Sequence, residues 1–194
     1  DPSPEDTVYF MAAMRQGALR NAPAVAEFLL GGAGSGVRVL DVGGGPLIYA
    51  RAFAGLGARV TVLDLQRVVD LMGEQARASG IEMVPGDFNV ALPAGPIDLV
   101  YLGNVCHIFG EQENRELFKK SFEVLDPGGR VIVVDIVRGT KPFAAIFGVN
   151  MLANTVNGDT WTLEQYTQWL EAAGFSGVKL DVAGESQIIS AYKK

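Results

Sequence analysis

Short apolar runs alternate along the chain with stretches whose apolar positions recur at helical spacing. Residues 37–41, 59–64, 81–86, 97–102 and 130–135 are rich in Val, Ile and Leu and read as strands. Between them, 47–56, 66–79 and 111–125 read as helices, the last with Leu117, Phe118, Phe122 and Leu125 along one face. Asp126-Pro127-Gly128-Gly129 is expected to break that helix. Upstream, 5–17 and 21–30 read as two helices, with Phe10, Met14, Val25, Phe28 and Leu29 at helical spacing. Residues 141–155 form an apolar, helix-like insert. Thr162 is a plausible N-cap for a helix over 163–173 that stops at Gly174. The tail, 178–182 and 187–192, turns through Ala183-Gly184-Glu185. So short a loop cannot join parallel strands, so this pair must be antiparallel. The alternation predicts an α/β, doubly wound sheet, mostly parallel, with a C-terminal antiparallel hairpin strand. Residues 1–35 are expected to be a helical lead-in and 36–194 one domain.

Composition narrows the function classes. The chain has 194 residues, enough for a continuous core. Lys and Arg number 16 against 22 Asp and Glu, a net charge of −6, which argues against an interface built on nucleic-acid phosphates. There is no apolar run of about 18 residues, so no membrane span is expected. The start, Asp-Pro-Ser-Pro-Glu-Asp, has neither the basic region nor the apolar core of a signal peptide. A lone cysteine, Cys106, excludes an internal disulfide and suits a reducing cytoplasm. The first residue is Asp rather than Met, so a processed form or a piece of something longer is expected.

The chemistry gathers at the strand ends, where open α/β sheets bind ligands. Asp41 closes the first strand and is followed by Val42 and then Gly43-Gly44-Gly45. Glycines let a backbone adopt positive φ and approach a ligand closely. A dinucleotide loop aims such a turn at a pyrophosphate, which a carboxylate would repel. An ammonium would be attracted instead, so the pattern points to a cationic nucleoside, of which S-adenosylmethionine is the common one. Asp64, with Leu65 after it, ends the second strand where an acid can accept ribose hydroxyls. Asp87 can accept from an adenine amino group, with Phe88 against the ring. Asn104 to His107 ends the fourth strand and Asp135 the fifth. Each acid taken singly also reads as a solvated loop residue or a cap; three at successive strand ends favour a site. No metal site is expected.

Taken in order, VLDVGGG (39–45), VTVLDL (60–65), GDF (86–88), NVCHIFGEQENRELFKK (104–120), PGGRVIVVD (127–135) and WTLEQYTQWLEAAGF (161–175) resemble the S-adenosylmethionine-dependent methyltransferases. The likeness is to the small-molecule O-methyltransferases of plants and bacterial natural-product pathways, from about Tyr9 to the C-terminus. It implies a Rossmann-like, seven-stranded sheet and S-adenosylmethionine as cofactor, with S-adenosylhomocysteine as product. It also implies roles: Asp41, Gly43 and Gly45 at the methionine end, Asp64 at the ribose, Asp87 and Phe88 at the adenine, His107 as general base. The acceptor would be a small aromatic or enolic molecule. Such proteins usually carry an N-terminal dimerisation region, which this chain lacks, so a homodimer is expected of the full-length protein.

His107 is the only histidine, and its ordinary pKa of about 6.5 suits proton abstraction near neutral pH. A lone histidine is also commonly structural; the family match favours the base. Asp135 is the candidate carboxylate to orient it, with Asp159 second. Cys106 reads as a small buried residue. Phe143, Phe147, Met151 and Trp161 can line an acceptor pocket, though apolar residues at helical spacing are commonly core.

Two departures from the family pattern stand out. The loop usually has a further glycine two positions after Gly45, where this chain has Leu47, whose side chain could narrow the site. A glutamate in a GGxERT-like turn is replaced by Thr160, and a lysine before the histidine segment by Gly103. These leave open a catalytically weak cofactor-binding module of a larger protein, or methylation at carbon or nitrogen. A nicotinamide oxidoreductase is disfavoured by Asp41 and by Ile48, where a third dinucleotide glycine would fall.

Overall fold

The computed structural model describes residues 18–32 and 34–194. The helix expected over 5–17 lies outside them. The chain divides into two compact units, Asp1–Pro93 with Ala183–Glu185, and Ala94–Val182 with Ser186–Lys194.

In the first unit, helical residues 18–30 (α1) precede β1 (Arg38–Val42), α2 (Ile48–Gly55), β2 (Arg59–Asp64), α3 (Gln66–Ala78) and β3 (Glu82–Pro85). The helix begins at least three residues before the expected 21. Strands run in the order β3-β2-β1, all parallel, with Arg38 opposite Arg59 and Thr61 opposite Glu82. Parallel strands need crossover helices, which cover their faces. Four of the five β1 residues are accordingly buried, and Phe53 of α2 and Ala76 of α3 lie in the core.

The second unit comprises β4 (Ile97–Gly103), a 3₁₀ turn (Cys106–Ile108), α4 (Glu111–Val124), β5 (Leu125–Asp135), α5 (Pro142–Asn154), α6 (Leu163–Ala172), β6 (Ser176–Ala183) and β7 (Ser186–Tyr192). Its strand order is β4-β5-β7-β6, with β4 parallel and β7 antiparallel to β5. The seven-stranded, mostly parallel sheet with an antiparallel C-terminal pair is thus present. Asp126-Pro127-Gly128-Gly129 ends α4 as expected but belongs to β5. Gly128 donates to the Lys193 carbonyl and Lys193 donates back to Gly129, so the tail pairs with this segment and keeps it extended. Thr162 caps α6 in a reciprocal box: its hydroxyl accepts from Gln165 N–H at 3.2 Å, and the Gln165 side chain accepts from Thr162 N–H at 2.9 Å.

Helix α5 buries a narrow face, Ala144, Gly148 and Met151. Phe143, Ile146, Val149 and Leu152 are 58, 68, 67 and 62% exposed. No helix among the described residues is long and apolar enough to cross a membrane.

Candidate active site

In the first unit, β1 carries Asp41 to its C-terminal end, where the carboxylate is almost fully buried. Its Oδ2 has no hydrogen-bond partner. Burial, reinforced by the Asp64 carboxylate, pushes the Asp41 carboxyl from the ordinary 3.8 up to about 7. Gly43 sits at φ 70°, a conformation open to glycine at little cost. Gly44 is the tighter position, because a Cβ there would run into the Asp41 carboxylate. Sequence reasoning picked out Gly43 and Gly45 and passed over Gly44, whose need appears only once the loop is folded back over Asp41.

Asp64 accepts from Gly45 N–H through Oδ2 at 2.9 Å and from Leu65 N–H through Oδ1 at 2.8 Å. The carboxylate thereby ties the end of β2 to the glycine turn. Each oxygen keeps a further lone pair for a ligand hydroxyl. Burial raises its pKa, against the lowering effect of those two amides and of Arg67. Asp87 is exposed and accepts from Asn89 N–H at 2.8 Å, forming a local turn; Phe88 beside it is half-buried.

Leu47 does not line the loop surface. Its backbone is left-handed (φ 58°, ψ 18°) at the N-cap of α2, while its side chain is fully buried in the core. The position where the family pattern has glycine is therefore one where glycine is conformationally favoured. Here a leucine occupies it, at a cost of roughly 1–2 kcal/mol in backbone strain.

The second unit brings together the two residues singled out for catalysis. Asp135 ends β5 and His107 lies on the 3₁₀ turn, both buried. The His107 ring nitrogen Nδ1 is 2.6 Å from Asp135 Oδ1, and His107 N–H donates to Oδ2 at 3.1 Å. Ile136 N–H also donates to Oδ1, at 2.7 Å. Tyr166, on α6, donates its hydroxyl to Oδ2 at 3.4 Å. A carboxylate ringed by donors accepts, so the imidazole donates from Nδ1 and Nε2 carries the lone pair. Such a pair can take a proton at Nε2 while Asp135 steadies the imidazolium.

Asp159, the second candidate, is instead paired with Arg138 and accepts from Thr160 N–H. Thr160, which replaces the family glutamate, is buried and donates to the Ala144 carbonyl at 3.0 Å. Phe147 meets the His107 ring edge-on at 5.0 Å, and Phe143 lies 5.9 Å beyond it. Met151 and Trp161 are buried, and the Trp161 Nε1 donates to the Cys106 carbonyl at 3.1 Å. Cys106 is free and buried, as expected; burial, with Asp135 nearby, pushes its thiol pKa well up. Asn104 is exposed at the end of β4 in a left-handed conformation (φ 59°), and its N–H donates to the Val134 carbonyl. No group of His, Cys, Asp and Glu side chains among the described residues is arranged to hold a metal ion.

Two residues of this neighbourhood escaped sequence reasoning. Tyr166 reads as one more aromatic on an amphipathic helix. Asn114 gave a signal, since it stands three and four positions before Leu117 and Phe118 and so falls on the apolar face of α4.

A family profile described as an O-methyltransferase domain matches residues 3–176. The chain belongs to that family. The 3-hydroxy-5-methyl-1-naphthoate 3-O-methyltransferase of Streptomyces sahachiroi is 35% identical over 159 residues, covering 75% of this chain and 45% of that protein. The S-adenosyl-L-methionine-dependent methyl transferase PigF of Serratia sp. is 26% identical, covering 77% of this chain and 47% of its own. Among solved structures, an O-methyltransferase family 2 protein from Planctomyces limnophilus, in complex with apigenin, superposes with a TM-score of 0.89. It is 25% identical and covers all of this chain and 62% of its own. The chain thus spans about half the length of the curated relatives it matches. Transfer of a methyl group from S-adenosylmethionine to small-molecule hydroxyls is the chemistry of this O-methyltransferase family.

Proposed function

We propose that this chain is the methyl-transferring part of an enzyme that methylates a hydroxyl of a small aromatic or enolic molecule, with His107 as general base. The buried His107–Asp135 pair carries the reading: it supplies an oriented, acceptor-ready Nε2 in a family whose members methylate hydroxyls.

The first unit fits the donor. An orphaned, buried Asp41 Oδ2 matches an ammonium group, and the turn above it, where Gly44 tolerates no side chain, admits close backbone contact. Asp41 with Gly43 and Gly45 would hold the methionine end, Asp64 and Leu65 the ribose, and Asp87 with Phe88 the adenine. When bound, S-adenosylmethionine supplies an electrophilic methyl on a cationic sulfur. The chain's own part is to remove the proton from the acceptor oxygen at His107 Nε2 and to share the resulting charge with Asp135. The buried Asp135 partner of His107 counts against a catalytically weak binding module. The full-length protein is proposed to act as a cytoplasmic homodimer.

Calorimetry with S-adenosylhomocysteine, beside turnover of labelled S-adenosylmethionine on a panel of hydroxynaphthoates and phenols, tests the assignment. His107→Ala is expected to lower turnover about 10²–10⁴-fold while leaving donor affinity within a few-fold of wild type. Near wild-type turnover in that variant removes His107 as the base.

A further inference from the structure

We propose that Asn114 and Trp161 are positioning residues that fix the peptide preceding His107, so that Asp135 can hold the backbone and the ring of that histidine together. Its functional meaning rests on reading His107 as the general base; its test does not.

The turn that carries His107 is weakly held by its own backbone. Ile108 N–H donates to the Val105 carbonyl at 3.1 Å, and Phe109 N–H reaches the Cys106 carbonyl only at 3.4 Å. Short 3₁₀ turns have poor hydrogen-bond geometry and do not lock a side chain by themselves. Side chains from two other elements supply the deficit. Asn114, on α4, directs Nδ2 at three main-chain carbonyls of this segment: Cys106 at 2.9 Å, Phe109 at 3.1 Å and Gly110 at 2.9 Å. Trp161, in the segment before α6, adds its Nε1 to the same Cys106 carbonyl at 3.1 Å.

The peptide joining Cys106 to His107 is consequently held at both ends. Its oxygen accepts from two side chains, and its N–H, that of His107, donates to Asp135 Oδ2. Asp135 Oδ1 then takes the ring Nδ1 of the same residue. Rotation of this peptide would break the amide bond and the ring bond to Asp135 together. The cost of the arrangement argues that it serves the turn: Asn114 is fully buried on an apolar helix face, with its Oδ1 lacking any partner. An unmet buried acceptor is unfavourable, and a residue present for packing alone would avoid it.

Because His107 is the only histidine, histidine-selective NMR of the whole chain reports a single ring. Wild type is expected to show one signal from the Nδ1–H tautomer. Asn114→Ala and Trp161→Phe, the latter keeping aromatic bulk while removing the donor, are expected to weaken that tautomer's dominance. A folded variant whose ring keeps the wild-type Nδ1–H tautomer signal overturns the proposal, however far its melting temperature has fallen. Either folded variant decides the matter. If neither folds, these residues serve the fold and the positioning role is likewise overturned. Full turnover in His107→Ala would remove the base reading and leave the NMR outcome standing on its own.

Discussion

Replacing Asp41 by Asn separates what this carboxylate costs the protein from what it does for a ligand. Its pKa is raised from 3.8 to about 7 by burial and by Asp64. A group raised on folding contributes stability below its unfolded value, and that stability is lost as pH climbs through the folded value. The window here runs from about pH 4 to about pH 7. At roughly 1.4 kcal/mol per pH unit, ionised Asp41 costs the ligand-free fold about 4 kcal/mol above pH 7. Asp41→Asn escapes that cost but places an amide whose donors are unmet, a penalty of about 1–3 kcal/mol. The variant is therefore expected to be more stable than wild type by about 1–3 kcal/mol at pH 8, and no more stable near pH 4.5. Urea unfolding of both proteins at the two pH values measures this. If Asp41 holds the donor's ammonium as proposed, saturating S-adenosylmethionine should reverse the order at pH 8, because binding to the native state adds stability. An equal difference between the proteins at both pH values would refute the reasoning.

Two further substitutions test other parts of the fold. Leu47→Gly relieves about 1–2 kcal/mol of left-handed strain but removes a fully buried side chain, worth about 2–5 kcal/mol in a core. A net destabilisation of up to about 4 kcal/mol is expected from denaturant midpoints, and a gain in stability would sink the argument. Thr162→Ala removes the hydroxyl that accepts from Gln165 N–H while the bond from its own N–H to Gln165 remains, so a loss of about 1 kcal/mol is expected in thermal melts.

The strands and the acids at their ends were legible because both are local properties. A parallel strand writes a run of apolar residues, and Asp41, Asp64 and Asp135 terminate such runs. Thr162 was legible for the same reason, as its capping partner lies three residues away. What escaped depends on distance along the chain. The Trp161 bond to Cys106 spans 55 residues, and Tyr166 reaches Asp135 across 31. The extension of β5 back through Gly128 and Gly129 to Leu125 goes with pairing to Lys193 and to Ile97, which no local reading of Asp-Pro-Gly-Gly supplies. Asp135 was ranked ahead of Asp159 from the sequence; the pairing of Asp159 with Arg138, 21 residues away, was not legible there.

Leu47 also has an evolutionary consequence. Backbone conformation at this position asks for glycine, while the core beneath asks for a large apolar side chain. Once neighbouring residues have packed around that side chain, reversion to glycine opens a hole larger in energy than the strain it relieves. The substitution is thereby entrenched: glycine becomes acceptable only after compensating changes fill the space, and those changes are of no benefit while the leucine remains.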